Sequence, residues 1–181
     1  QLLLVFASVP GVDAACAITP DDAGNVAIPA LQTSIADNAF YGCTDLKTIT
    51  FASNGMFDSI GNDAFTGSGL TSVTIPSNVT IGDFAFYKIM SLKSVTFEGG
   101  VVGSIGYYAF YGCTSLLSVT FPPDVNSIDI NEGAFDRTAI SQCAIAPDIN
   151  GAVVIPNTML HVSLAFYNCT GLTSVTFASG H

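Results

Sequence analysis

Six times along the chain an Ala-Phe pair is followed, a few residues on, by the pattern Leu-x-x-Val-x-Phe. The pairs are Ala39-Phe40, Ala64-Phe65, Ala85-Phe86, Ala109-Phe110, Ala134-Phe135 and Ala165-Phe166. The first anchor of the pattern is Leu46, Leu70, Leu92, Leu116, Ile140 and Leu172. The second is Ile49, Val73, Val95, Val119, Cys143 and Val175, and the third is Phe51, Ile75, Phe97, Phe121, Ile145 and Phe177. First anchors fall 24, 22, 24, 24 and 32 residues apart. A unit of that size cannot bury its own apolar face, so it must stack on its neighbours.

The segment V-x-F alternates as a strand with one buried face does. Like strands of successive units can pair as a parallel sheet with a spacing of ~4.8 Å. Ile60-Gly61, Ile81-Gly82 and Ile105-Gly106 indicate a second extended piece and a turn. The stretch D-x-A-F-x-G-C is compatible with one turn of α- or 3₁₀-helix. Gly42, Gly67 and Gly112 then let the chain bend toward the next strand. The expected fold is a mainly β repeat solenoid: a parallel strand ladder, short helical or 3₁₀ turns, and columns of Phe, Leu and Val in its core.

A longer duplication lies above this one. Residues 16–30, CAITPDDAGNVAIPA, match 143–157, CAIAPDINGAVVIPN, and the match resumes between 40–53 and 166–179. On this reading Cys16-Ala17-Ile18 is the closing strand of a unit whose first half is absent, and 16–181 is a section of about six units from a longer array. Residues 1–15 read QLLLVFASVPGVDAA, an apolar run broken by Pro10-Gly11 and followed by Val12-Asp13-Ala14. Two readings stand: the remnant of a secretory signal, or a hydrophobic cap on the first coil.

Composition narrows the function. Charged residues are 10% of the 181, and Lys plus Arg number 4 against 14 Asp plus Glu, for a net charge of −10. So few cations neutralise few phosphates, which argues against nucleic acid and an anionic membrane surface as partners. No stretch approaches the ~20 apolar residues of a spanning helix.

The strings IGNDAFTGSGLTSVTIPSNVT (60–80) and SIGYYAFYGCTSLLSVTFPPDVNSI (104–128) resemble the BspA-type leucine-rich repeats. The resemblance covers residues 16–178. The fifth unit departs from it at Cys143-Ala144, and the sixth carries an insertion. It implies a curved, right-handed leucine-rich-repeat solenoid with a strand-lined concave face. It also implies a secreted or cell-surface protein that acts in adhesion or protein recognition, without a cofactor and without catalysis.

Several residue sets are candidates for function. The outward strand positions form one row of Thr48, Ser72, Ser94, Ser118 and Ser174 and another of Thr50, Thr74, Thr96, Thr120 and Thr176, interrupted at Gln142 and Ala144. This is a flat, nearly uncharged interaction face, or simply a set of cross-strand hydroxyl pairs that suit a sheet. Tyr41, Tyr87, Tyr111 and Tyr167 each follow a Phe anchor and form a ridge, with Tyr107-Tyr108 nearby. Within the family pattern the corner cysteines Cys43, Cys113 and Cys169 are small buried hydrophobes. The long duplication instead pairs Cys16 with Cys43 and Cys143 with Cys169, as disulfides of an oxidising compartment. Asn78 and Asn168 head glycosylation sequons. His161 and His181 lack ligand-spaced partners, there is no C-x-x-C, and Asp21-Asp22, Asp148 and Asp129 to Glu132 read as solvated turns rather than calcium loops.

Three functions compete. The first is a recognition or adhesion module binding a protein through the strand face. The second is a structural subunit of a larger, membrane-associated or multi-subunit assembly, docked through the solenoid ends and the Tyr ridge. The third, more remote, is an ice-binding threonine array. No nucleophile–base pair, paired-carboxylate pocket or phosphate loop argues for an enzyme.

Overall fold

The computed structural model describes residues 16–52, 57–99, 103–121 and 129–139, together with the strands 152–155 and 174–177. The chain is a parallel β-solenoid, and among the described residues no helix forms. The longer strands are β1 (Asn25–Ile28), β3 (Thr48–Phe51), β5 (Ser72–Ile75), β7 (Ser94–Phe97), β8 (Ser118–Thr120), β9 (Ala152–Ile155) and β10 (Ser174–Phe177). Between them lie the two-residue strands β2 (Ser34–Ile35), β4 (Ser59–Ile60) and β6 (Thr80–Ile81). β1 pairs with β3, β5 with β7 and β7 with β8, all parallel, so that Val73, Val95 and Val119 share one rung and Thr74, Thr96 and Thr120 the next. β9 and β10 pair likewise, Ser174 opposite Ala152 and Thr176 opposite Val154.

The second ladder is the one the Ile-Gly pairs predict. β2, β4 and β6 pair through Ile35, Ile60 and Ile81, and single bridges carry the column on through Ile105 to Ile130. Between the ladders run, among the described residues, five corners at residues 36–43, 61–68, 82–89, 106–113 and 131–138. Their phenylalanines form one stack. Phe40, Phe65, Phe86, Phe110 and Phe135 lie 5.2, 5.0, 4.8 and 5.1 Å apart, ring centre to ring centre, with planes within 13° of parallel. Leu46, Leu70, Leu92 and Leu116 are fully buried beside them. Each buried anchor of this size contributes about 1.5–3 kcal/mol of hydrophobic stabilisation.

Two expectations are corrected. The D-x-A-F-x-G-C stretch is a run of tight turns rather than a helical turn. Ala39 N–H bonds to the Ala36 carbonyl, Tyr41 to Asn38 and Cys43 to Phe40, while Asn38 and Gly42 sit at φ 59° and 67°. A positive φ every fourth residue is incompatible with a right-handed helix. It turns alternate amides along the solenoid axis, so that Asn38, Phe40 and Gly42 donate to the carbonyls of Asn62, Ala64 and Thr66 in the next corner. Second, Cys16-Ala17-Ile18 is not a strand. Ala17 N–H bonds to the Ala39 carbonyl at 2.7 Å, as Phe40 bonds to Ala64, so the segment lies on the first corner, and the first strand is β1.

The strand ladder is interrupted once among the described residues. Gly69 and Thr71 donate to the carbonyls of Cys43 and Lys47, but β3 and β5 beyond them do not pair. Here Phe57, from the long 52–58 connection, is buried against Phe51, ring centres 4.6 Å apart and tilted by 52°.

Candidate functional site

The hydroxyl rows stand on the outer side of the strands. Ser72, Ser94 and Ser118 share one rung, and Thr74, Thr96 and Thr120 another. Thr50, Thr74 and Thr120 are exposed, and Thr96 is half-buried. On the other side of the interruption Thr48 and Thr50 face Asn25 and Ala27 of β1, and Thr48 Oγ1 is hydrogen-bonded to Asn25 Oδ1. The rows are therefore continuous over β5, β7 and β8 and separate from the β1–β3 pair. At the interruption a cavity of about 400 Å³ is lined by Ile49, Thr50, Phe51, Ala52, Thr74, Pro76, Ser77 and Glu98. Ser174 and Thr176 are placed only as β10 backbone.

The tyrosine ridge is more local than its sequence spacing implies. Tyr87 and Tyr111 stack at 5.4 Å, whereas Tyr41 stands apart, 52% exposed, with Thr66 occupying the intervening corner. A second aromatic pair adjoins the first: Phe84 stacks on Tyr108 at 5.5 Å, and each meets its neighbour in the ridge edge-on, Phe84 with Tyr87 and Tyr108 with Tyr111. Lys88 Nζ lies 4.9 Å from the Tyr87 ring centre, and the Arg137 guanidinium 5.4 Å from that of Tyr111. Sequence reading missed Phe84, Lys88 and Arg137. The signal was their column: they replace the Asn, Asp and Gly of equivalent corner positions.

A ladder of side chains also went unread. Asp37 Oδ1 accepts from the Asn62 amide at 2.7 Å, Asn62 Oδ1 from Asp83 at 2.8 Å, and Asp83 Oδ1 from Tyr107 at 2.8 Å. This ladder explains the Ile-Gly pairs. A methyl group on Gly106 would lie 2.6 Å from Asp83 Oδ1 and from the Gly82 carbonyl carbon. These acids therefore join coils.

Cys16 and Cys43 are joined by a disulfide, their Cα atoms 5.3 Å apart. Cys113 is a buried free thiol whose S–H donates to the Phe86 carbonyl at 3.0 Å. Burial pushes its pKa up to about 12, so it is a core residue without nucleophilic character. Asn78 is exposed in a turn at φ 64°. Asp21 accepts the amides of Ala23 and Asn25, and the bonds from Asn25 hold its pKa below the usual carboxylate value. Among the described residues no group of three His, Cys, Asp or Glu is placed to hold a metal ion, and no helix is long and apolar enough to cross a membrane. Residues 1–15, Cys143, Cys169, Tyr167, Asn168, His161, His181, Asp148, Gln142 and Ala144 lie outside the described residues.

Stacked coils, a repeated Leu/Val/Phe core and a parallel ladder define a leucine-rich-repeat solenoid. More narrowly, the model of the BspA type leucine rich repeat region matches residues 21–141 in 6 copies, and the chain belongs to that family. No curated protein sequence matches it. Among solved structures, a leucine-rich repeat protein from Bacteroides ovatus is similar at a TM-score of 0.53 and 21% identity, over 84% of this chain and 42% of the other. A leucine rich cell surface protein from Faecalibacterium prausnitzii gives 0.42 and 24%, over 87% and 60%. The pneumococcal vaccine antigen PcpA gives 0.43 and 18%, over 88% and 32%. The chain thus spans less than two thirds of each of these structures.

Proposed function

We propose that the chain is a non-enzymatic recognition or adhesion module of an exported or cell-surface protein, binding a protein partner through its Ser/Thr strand face. The observation that carries this reading is the alignment of Ser72, Ser94 and Ser118 beside Thr74, Thr96 and Thr120 in regular rows of uncharged side chains. Such a face brings no charge into an interface and offers a dense array of hydroxyls for a partner to hydrogen-bond. Membership of the BspA-type family supports a protein-interaction role. The Cys16–Cys43 disulfide supports an oxidising, extracytoplasmic compartment. The interruption between β3 and β5 divides the hydroxyl lattice, which weighs against an ice-binding array.

The test places a photo-crosslinking residue at Thr96 and, as a control, at exposed Ala23, in the turn before β1 and on the other side of the ladder's interruption. In the native source Thr96 should yield one discrete adduct that Thr74→Glu abolishes, and Ala23 should yield none. Equal labelling from both positions, or an adduct indifferent to Thr74→Glu, would remove the strand face as the binding surface.

A further inference from the structure

We propose that the ridge formed by Phe84, Tyr87, Lys88, Tyr108, Tyr111 and Arg137 is a second binding surface, which takes an acidic segment of a partner protein. The proposal rests on the reading of the chain as a protein-recognition module but concerns a different face of it.

The first observation is where the left-handed backbone falls. Each of the five described corners has a positive φ at the same position and again four residues on. In the first two corners these places are held by Asn38 and Gly42 and by Asp63 and Gly67, residues for which the conformation costs least. In the third corner they are held by Phe84 at 57° and Lys88 at 53°, in the fourth by Tyr108 at 54° and Gly112, and in the fifth by Gly133 and Arg137 at 54°. The backbone bonding is the same in both regions. Asn38 and Asp63 donate to Asn62 and Asp83, and Phe84 and Tyr108 donate to Tyr107 and Glu132, at 2.9 to 3.2 Å. The fold therefore demands the conformation but not these side chains. A Cβ on Gly42 or Gly67 meets nothing within 4 Å, so this corner position opens on free space in the first two corners, while the Lys88 stem lies beside Gly112 of the next coil.

The second observation is what these strained positions assemble. Two of the chain's four cationic residues, Lys88 and Arg137, are exposed on one ridge of a protein with a net charge of −10. Each is held over a tyrosine ring, and neither meets a carboxylate among the described residues. Asp63 accepts from Thr66 Oγ1 and Asp83 from the Tyr107 amide, and among the described residues no ion pair joins Arg137 to Glu132 or Asp136 of its own corner. The rings stack coil on coil, Tyr87 on Tyr111 and Phe84 on Tyr108, so their negative faces are turned to one another and their positive edges outward. Closed ring faces give a sugar ring no platform. Positive edges, phenol hydroxyls and two unpaired cations suit carboxylates, and half-exposed Phe84 and Tyr107 add apolar contact beside them.

The test is an NMR titration of the ¹⁵N-labelled protein with capped hexaglutamate at physiological ionic strength, with capped hexalysine and a galacturonate hexasaccharide as parallel arms. Hexaglutamate should give saturable shifts at Lys88, Tyr108, Tyr111 and Arg137 and hexalysine none. Affinity should fall at least tenfold in Lys88→Gly/Arg137→Gly while Tm stays the same or rises, because glycine relieves the backbone. Lys88→Gln/Arg137→Gln should lose the same affinity with the backbone unchanged. Three results would overturn the proposal: no saturable shift, unaltered binding in both double variants, or tighter binding of the galacturonate. A fall in Tm of the glycine variant with binding intact would likewise assign the cations to stability alone. A Thr96 photo-adduct that persists beside any of these results would show that the ridge fails while the strand face stands.

Discussion

The corners and the strand face are built from the same repeats yet carry continuity differently. The corners contain no regular secondary structure, but their phenylalanine stack and forward hydrogen bonds run without a break from Phe40 to Phe135. The strands look like the organising element, but their ladder parts between β3 and β5, where Phe57 wedges against Phe51. The difference teaches that the spine of this solenoid is its turn column. The strand ladder can open by a rung without loss of coil stacking, which leaves the strand face free to vary in sequence.

Four substitutions would break or sharpen that contrast, measured by denaturant unfolding. Phe86→Ala removes a ring stacked on both sides and should cost about 3–5 kcal/mol. Gly106→Ala drives a methyl into the Asp83 carboxylate and the Gly82 backbone and should cost about 1–3 kcal/mol. Asn62→Ala removes one rung of the side-chain ladder, the acceptor of the Asp83 amide, and should cost about 0.5–1.5 kcal/mol. Thr96→Ala, on the strand face, should change stability by no more than about 0.5 kcal/mol. If Thr96→Ala cost as much as Phe86→Ala, the spine would have to be reassigned to the strands. If Gly106→Ala were neutral, the close approach of corners would not be a constraint.

Much of this was legible in the sequence because the interior is a set of columns, and columns repeat. The Ala-Phe pairs located the stack, the V-x-F strands their register and the Ile-Gly pairs the second ladder. The corner conformation was not legible from its average. Asn38, Asp63 and the glycines advertise a positive φ, but Phe84 and Tyr108 adopt it too, and their residue types argue against it. A helical turn was the natural reading of such a mixture. The same masking hid Lys88 and Arg137, which differ from their column mates. The parting of the ladder depends on Phe57, which lies in an unrepeated connection and so had no column to betray it. Which surface meets a partner was legible only as two candidate rows, because exposed positions are not constrained by the core that makes the pattern.

The forward direction of the corner hydrogen bonds has one more consequence. In the middle of each described corner the donors all point to the next coil, as Ala17 to Ala39, Phe40 to Ala64 and Phe110 to Ala134 show, whereas at the corner entries Gly61, Gly82 and Gly106 donate back to Ile35, Ile60 and Ile81. The polarity thus belongs to the corner column and not to the whole coil. Along that column a further coil, whether from the same chain or another, meets complementary groups head to tail, while two copies joined there by a twofold axis would set like groups against each other. Repeated head-to-tail joining would build filaments.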